Sequence, residues 1–158
     1  MIQLVPMTDS EFQIYLKHSV EAYAQEHVKA GNWSPTEALQ KAEKEFQQLL
    51  PDGVASTKQH LFTIEDSQTG EKVGLIWFAE RVQASRPSAF IYDFLIYEEY
   101  RNKSYGKQAL IGLEEKVKEL GIETISLHVF GHNKIAIDLY QKVGYEISDL
   151  HMTKKIII

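Results

Sequence analysis

Small and polar residues alternate with three cations along Tyr100-Arg101-Asn102-Lys103-Ser104-Tyr105-Gly106-Lys107. The stretch leads from an apolar run ending near Tyr97 into an amphipathic one beginning near Ser104. A turn that opens onto a helix start aims several unbonded backbone N–H groups in one direction, which suits a phosphate or diphosphate. Arg101, Lys103 and Lys107 add positive charge. Each favourable charge at a helix start contributes about 0.3–1 kcal/mol, so several donors must act together. Gly106 leaves room for a ligand to approach the backbone. The same residues also suit an ordinary strand-to-helix loop with surface cations. No glycine is followed by Lys and then Ser or Thr, as a Walker A loop requires, and no dinucleotide fingerprint is present.

Asp93 is the second residue with chemical promise, because it interrupts the apolar run Phe90-Ile91-Tyr92-Asp93-Phe94-Leu95-Ile96. A carboxylate in such a run is unfavourable unless it is partnered or functional. It could take a proton from an amine through water, bind that amine as a counter-charge, or belong to a strand-edge network. Glu80 on the neighbouring strand is the fallback, and His128 reads as a structural histidine. His27 and His60 have no nearby ligand partners in sequence, so no metal is expected. The absence of cysteine excludes a thiol nucleophile, a thiolate metal site and a disulfide framework together.

The elements that must hold these residues can be placed from periodicity and caps. Ile2 to Met7 reads as a strand, followed by the capping box Thr8-Asp9-Ser10-Glu11 and a helix to about His27. Ser34-Pro35-Thr36-Glu37 repeats the signature for a second helix carrying Leu39, Ala42, Phe46 and Leu49. His60 to Glu65, Lys72 to Val82 and Ser88 to Tyr97 are β-rich and predict a three-strand meander. A helix from about Ser104 to Leu120 stops at Gly121, Thr124 to Phe130 predicts another strand, and Asn133 caps a short helix ending at Gly144. Tyr145 to the terminal isoleucines predicts a closing strand pair. The pattern predicts an α/β fold over 1–158 as one domain, with a mixed, mostly antiparallel central sheet and helices on both faces. The strand on either side of the helix from Ser104 must then be parallel.

Composition narrows the partners. The formal net charge is −5 and the cations are dispersed, which argues against nucleic acid. No apolar run reaches the length of a membrane span, and the amino terminus is too short and acidic for a signal peptide, so a cytoplasmic protein without a membrane partner is expected.

Arg101, Ser104 and Gly106 together resemble the coenzyme loop of the GCN5-related N-acetyltransferase superfamily, whose pattern is Arg or Gln, two residues, Gly, one residue, Gly or Ala. Ser104 replaces the first glycine. Leu95 to Tyr100 is similar to the strand end and turn before that loop. Asn133, Ala136, Leu139, Tyr140 and the pair Gly144-Tyr145 are similar to a second block of the family, one helix and one strand further on.

The resemblance implies the acyl-CoA N-acyltransferase fold and transfer of an acetyl group from acetyl-CoA to a primary amine of a small molecule or peptide, without a metal. It implies that the coenzyme lies along Leu95 and Ile96 and on the backbone of Arg101, Asn102, Lys103, Ser104, Tyr105, Gly106 and Lys107. The Ile96 amide would then face the thioester oxygen. Tyr140 stands where many members carry the general acid, although its helical spacing also suits a core aromatic. A phenol near its ordinary pKa of about 10 stays protonated while able to supply a thiolate of comparable basicity. Asn133 either contacts the coenzyme or serves only as a helix cap. The competing expectation is a coenzyme-binding sensor without turnover. The terminal isoleucines leave a homodimer open.

Overall fold

The computed structural model describes residues 1–157. Its elements run β1 (Ile2–Pro6), α1 (Asp9–Lys29), α2 (Ala38–Leu49), β2 (Gln59–Asp66), β3 (Lys72–Gln83), β4 (Arg86–Ile96), α3 (Tyr105–Glu119), β5 (Ile125–Leu127) and α4 (Lys134–Lys142). The sheet order is β1-β2-β3-β4-β5; the first four strands are antiparallel neighbours, and β5 joins β4 in parallel across the α3 crossover. Both predictions, the mixed sheet and the parallel crossover, hold.

Each face of the sheet carries its own apolar layer. Ile64, Ile76, Phe78 and Ile91 pack with Ala109, Leu110, Leu113 and Val117 of α3, spaced at three and four residues so that one stripe of the helix is buried. Leu61, Leu75 and Trp77 face the other way, onto Phe12 and Tyr15 of α1 and Phe46 of α2. Leu113 has no exposed surface, so truncation to Ala would cost about 2–5 kcal/mol.

The expected capping box of α1 is complete: the Glu11 amide donates to the Thr8 hydroxyl at 3.1 Å, and the Thr8 amide to the Glu11 carboxylate at 2.9 Å. The second signature is only half realised. Glu37 accepts from the Ser34 amide at 3.3 Å, but the Ser34 hydroxyl turns to Thr36, and regular helix starts at Ala38.

Two features of β4 give the molecule its open cleft. Trp77 pairs with Asp93 while Phe78 pairs with Ile91, which leaves Tyr92 as the extra residue of a bulge. The bulge brings two successive side chains to the α1 face: the Tyr92 ring stacks on Trp77 at 4.6 Å, and Asp93 meets Tyr15. Beyond it, Phe94 and Ile96 return to the α3 face. Second, β4 and β5 pair only from Ala89 to Ile91 against Ile125 to Leu127. From Tyr92 onward the edge of β4 is open.

The chain departs from expectation after that point. The strand expected from Thr124 to Phe130 keeps only Ile125–Leu127, because the two strands diverge. The closing strand pair is not formed among the described residues. Residues 145–157 have no strand pairing, and Ile147, Leu150, Met152, Ile156 and Ile157 are exposed. β-Branched composition marks a segment able to pair, but pairing needs a partner edge in register, which three residues of β5 do not supply. Ile158 lies outside the described residues.

Candidate active site

The loop from Arg101 to Lys107 joins the end of β4 to the start of α3. Asn102 and Ser104 have left-handed backbone conformations, with φ of 64° and 67°. Ser104 thus occupies a geometry that glycine adopts without strain. The Gln108 amide is the first bonded within the helix, to the Ser104 carbonyl at 3.1 Å, so the Tyr105, Gly106 and Lys107 amides remain open at the helix mouth. The Tyr105 side chain leaves the mouth altogether: its hydroxyl donates to Asp66 at 2.7 Å and ties α3 to the β2–β3 turn.

Gly106 also has a packing role. A β-carbon there would come within 3.1 Å of the Leu139 side chain and 3.7 Å of Ile96 and Phe94. Its bare backbone lets α3 sit close to α4 and β4. Arg101 is likewise partly engaged, since its Nε donates to the Ile96 carbonyl at 2.9 Å. Lys103 lies 5.9 Å from the Tyr100 ring centroid, and Lys107 is exposed. Asn133 caps α4 by accepting from the Ala136 amide at 3.2 Å, which leaves its side-chain NH2 free to donate.

Strand alternation fixes which way the open edge of β4 looks. The Tyr97 amide bonds the Val73 carbonyl of β3 at 2.9 Å. One residue earlier the backbone points away from β3. The N–H of Ile96 therefore faces the gap between β4 and β5. Leu95 lies partly exposed beside it, on the face of Leu75.

Tyr140 of α4 borders the same gap. Its ring lies 6.2 Å from Phe94 and 5.8 Å from Tyr145 and packs on the α3-side core. Burial, then the Asp93 and Tyr145 charges, hold its phenol well above the ordinary range, so it stays protonated. From the other face Asp93 reaches the same neighbourhood. Burial raises its carboxyl pKa, against the opposing pull of the Tyr15 hydroxyl, which donates at 2.8 Å, and of the Phe94 amide.

Glu80 does not join them. It bonds His60 at 2.7 Å and pairs with Ala89, whose side chain lies in the α3-side core, so it stands on the opposite face from Asp93. His128 is exposed, with its ring edge-on to Phe130 at 5.0 Å. No group of three or more His, Cys, Asp or Glu suited to a metal occurs among the described residues. A concavity of about 1120 Å³ runs between α1 and α2; neither Asp93 nor Tyr140 borders it, so it does not mark the reacting groups.

Tyr15 was not singled out by sequence reasoning. Its place three residues after Phe12 marks it as inward-facing. Nothing local points to a partner 78 residues away.

Known proteins match this arrangement. The pattern of the acetyltransferase (GNAT) family matches residues 20–145. The uncharacterized N-acetyltransferase YycN of Bacillus subtilis is 40% identical over 155 residues, covering 98% of this chain and 99% of its own. The uncharacterized N-acetyltransferase YdgE of the same organism is 36% identical, covering 97% of each. The crystal structure of YycN superposes over 100% of both chains with a TM-score of 0.93 at 39% identity. The fold is also shared by AAC(6')-Iy, solved in complex with the bisubstrate analogue CoA-S-monomethyl-acetylneamine, with a TM-score of 0.60 at 15% identity over 100% of this chain and 99% of its own. No described helix is long and apolar enough to cross a membrane. The chain belongs to the acetyltransferase (GNAT) family.

Proposed function

We propose that the chain, as one catalytic unit, transfers the acetyl group of acetyl-CoA directly to a primary amine, with Tyr140 as general acid and Asp93 as base. The observation that carries this reading is the parting of β4 from β5 after Ile91, with open amides at the α3 mouth on one side and Tyr140 beside the gap.

The site fits the coenzyme in two independent respects. Three open amides at a helix start suit a diphosphate. The unpaired backbone of β4 suits a pantetheine arm bound as an added strand, with Leu95 and Ile96 alongside. Asn102, Lys103 and Lys107 stand around the diphosphate, and Arg101 holds the strand end by its bond to Ile96. The free NH2 of Asn133 is available to the coenzyme from α4.

The coenzyme supplies the acyl group as a thioester. The Ile96 N–H donates to the carbonyl oxygen as negative charge develops on it; one preorganised donor in a dry site contributes about 3–4 kcal/mol. Asp93 removes a proton from the acceptor's ammonium, directly or through water. The neutral amine forms the C–N bond as the C–S bond breaks, the Tyr140 hydroxyl gives its proton to the departing thiolate, and the proton then shed by the acylated nitrogen restores the phenol. Burial pushes up the pKa of both groups, which keeps the phenol protonated and makes the carboxylate a better base.

Release of free thiol from acetyl-CoA over a panel of polyamines, amino sugars, amino acids and peptides tests this. At least one class should give amine-dependent release, with the acetylated product seen by mass spectrometry. Silence across the panel despite coenzyme binding would mean a sensor, not an enzyme.

A further inference from the structure

Arg81 is a cation that the acetyl-transfer chemistry leaves unused. It lies on β3 four residues beyond Trp77, and strand alternation puts it on the same, α1-side face. Phe90 of β4 looks the same way, because Ala89 and Ile91 on either side of it belong to the α3-side core. Arg81 is exposed to solvent, and no carboxylate lies within 4 Å of its nitrogens among the described residues.

The guanidinium is nevertheless held in one place. Its Cζ lies 3.9 Å from the Phe90 ring centroid and 5.0 Å from that of Tyr92, and it donates to the Tyr92 hydroxyl. The Phe90 and Tyr92 rings meet edge to face at 5.0 Å, and Tyr92 stacks at 4.6 Å on Trp77, which is buried. Aromatic contacts of this kind fix the plane of the fork, so little freedom is left to lose when a carboxylate binds. Of five N–H donors, one is bonded among the described residues, to Tyr92.

The place of the fork relative to Asp93 and Ile96 gives it a task. Phe90 pairs with Ala79 and Asp93 with Trp77, two residues apart on β3. At about 3.4 Å per residue the two stations are roughly 7 Å apart on one face of the sheet. An amino acid can span that separation when its nitrogen and its carboxylate each add a hydrogen bond of about 2.8 Å. Asp93 also stands between Phe90 and Ile96 along β4. An amine at Asp93 aimed at a thioester beside Ile96 therefore trails its substituent toward Arg81.

We infer that Arg81 grips a carboxylate of the acceptor, so that the preferred substrate is an α-amino acid. This deepens the acetyltransferase reading and rests on it. The thiol-release assay compares glycine, leucine, methionine, phenylalanine and glutamate, each against its α-carboxamide, for the wild type, Arg81→Gln and Arg81→Lys. A charge-assisted contact predicts that the best acid exceeds its amide in kcat/KM by about ten- to a hundredfold. In Arg81→Gln that ratio should fall by the same factor, and Arg81→Lys, which keeps the charge without the fork, should retain part of it. A guanidinium that only clips the β3–β4 hairpin would lower acid and amide alike, and an unchanged ratio in Arg81→Gln overturns the inference. So does a ratio near one in the wild type, or a preference for amines that carry no carboxylate. Calorimetry of the same acids with coenzyme A present separates the two readings. Binding that Arg81→Gln weakens keeps the subsite even if nothing is acetylated, and absence of binding overturns it.

Discussion

On the α3 side of the sheet, the surface assigned to the coenzyme is made of backbone: open amides at Tyr105, Gly106 and Lys107 and the unpaired edge of β4. On the α1 side, the surface assigned to the acceptor is made of side chains that meet across long stretches of sequence, as Tyr15 and Asp93 do. Backbone donors depend on local conformation, so the loop keeps its shape with Ser104 where the family pattern has glycine. Side-chain pairs depend on the packing of separate elements. The first surface should tolerate side-chain changes that spare the loop, whereas on the second a single hydroxyl or carboxylate should count.

The largest expected effect is that of Tyr140→Phe. Loss of a general acid lowers turnover about a hundredfold or more while leaving coenzyme affinity within about twofold, read by thiol release and calorimetry. A parallel collapse of coenzyme affinity would break the division between the two surfaces. Tyr15→Phe should act through Asp93. The hydroxyl bond favours the carboxylate, so its loss raises the Asp93 pKa further above the ordinary carboxylate value and moves the acid limb of kcat/KM to higher pH. On that limb the rate should fall by about tenfold, while coenzyme binding is unchanged. An unmoved limb would remove Asp93 from the base role.

Two smaller effects concern stability. Burial pushes the Glu11 carboxyl up, but the Thr8 amide, Lys72 and Thr63 outweigh it and hold the pKa at about 2, against an ordinary 4.5. A depressed carboxyl contributes its stability in full above the unfolded value and loses it as pH falls through the folded one. Glu11→Gln should therefore destabilise by about 1–2 kcal/mol at neutral pH after solvent screening. The gap to the wild type should close between about pH 4.5 and 2, followed by urea unfolding. Tyr145 gives the opposite sign. Its hydroxyl is buried without a hydrogen-bond partner among the described residues, so Tyr145→Phe should stabilise by about 1 kcal/mol.

What could be read from sequence divides along the same line. The Thr8 to Glu11 box, the meander and the loop from Arg101 depend on residues a few positions apart, and each forms as its spacing predicts. Gly106 was legible as a place of close approach, but its neighbour is Leu139, which only packing decides. The bulge at Tyr92 could not be read from an unbroken apolar run, yet it sends Asp93 to the α1 face. Residues 146–157 include strand-forming types but pair with no strand edge among the described residues.

A crystal structure with bound acetyl-CoA addresses the central claim most directly. The account predicts the diphosphate on the amides of Tyr105 to Lys107, the pantetheine along Leu95 and Ile96, and the sulfur beside the Tyr140 hydroxyl. A diphosphate bound away from the α3 mouth, or a sulfur out of reach of Tyr140, would contradict it.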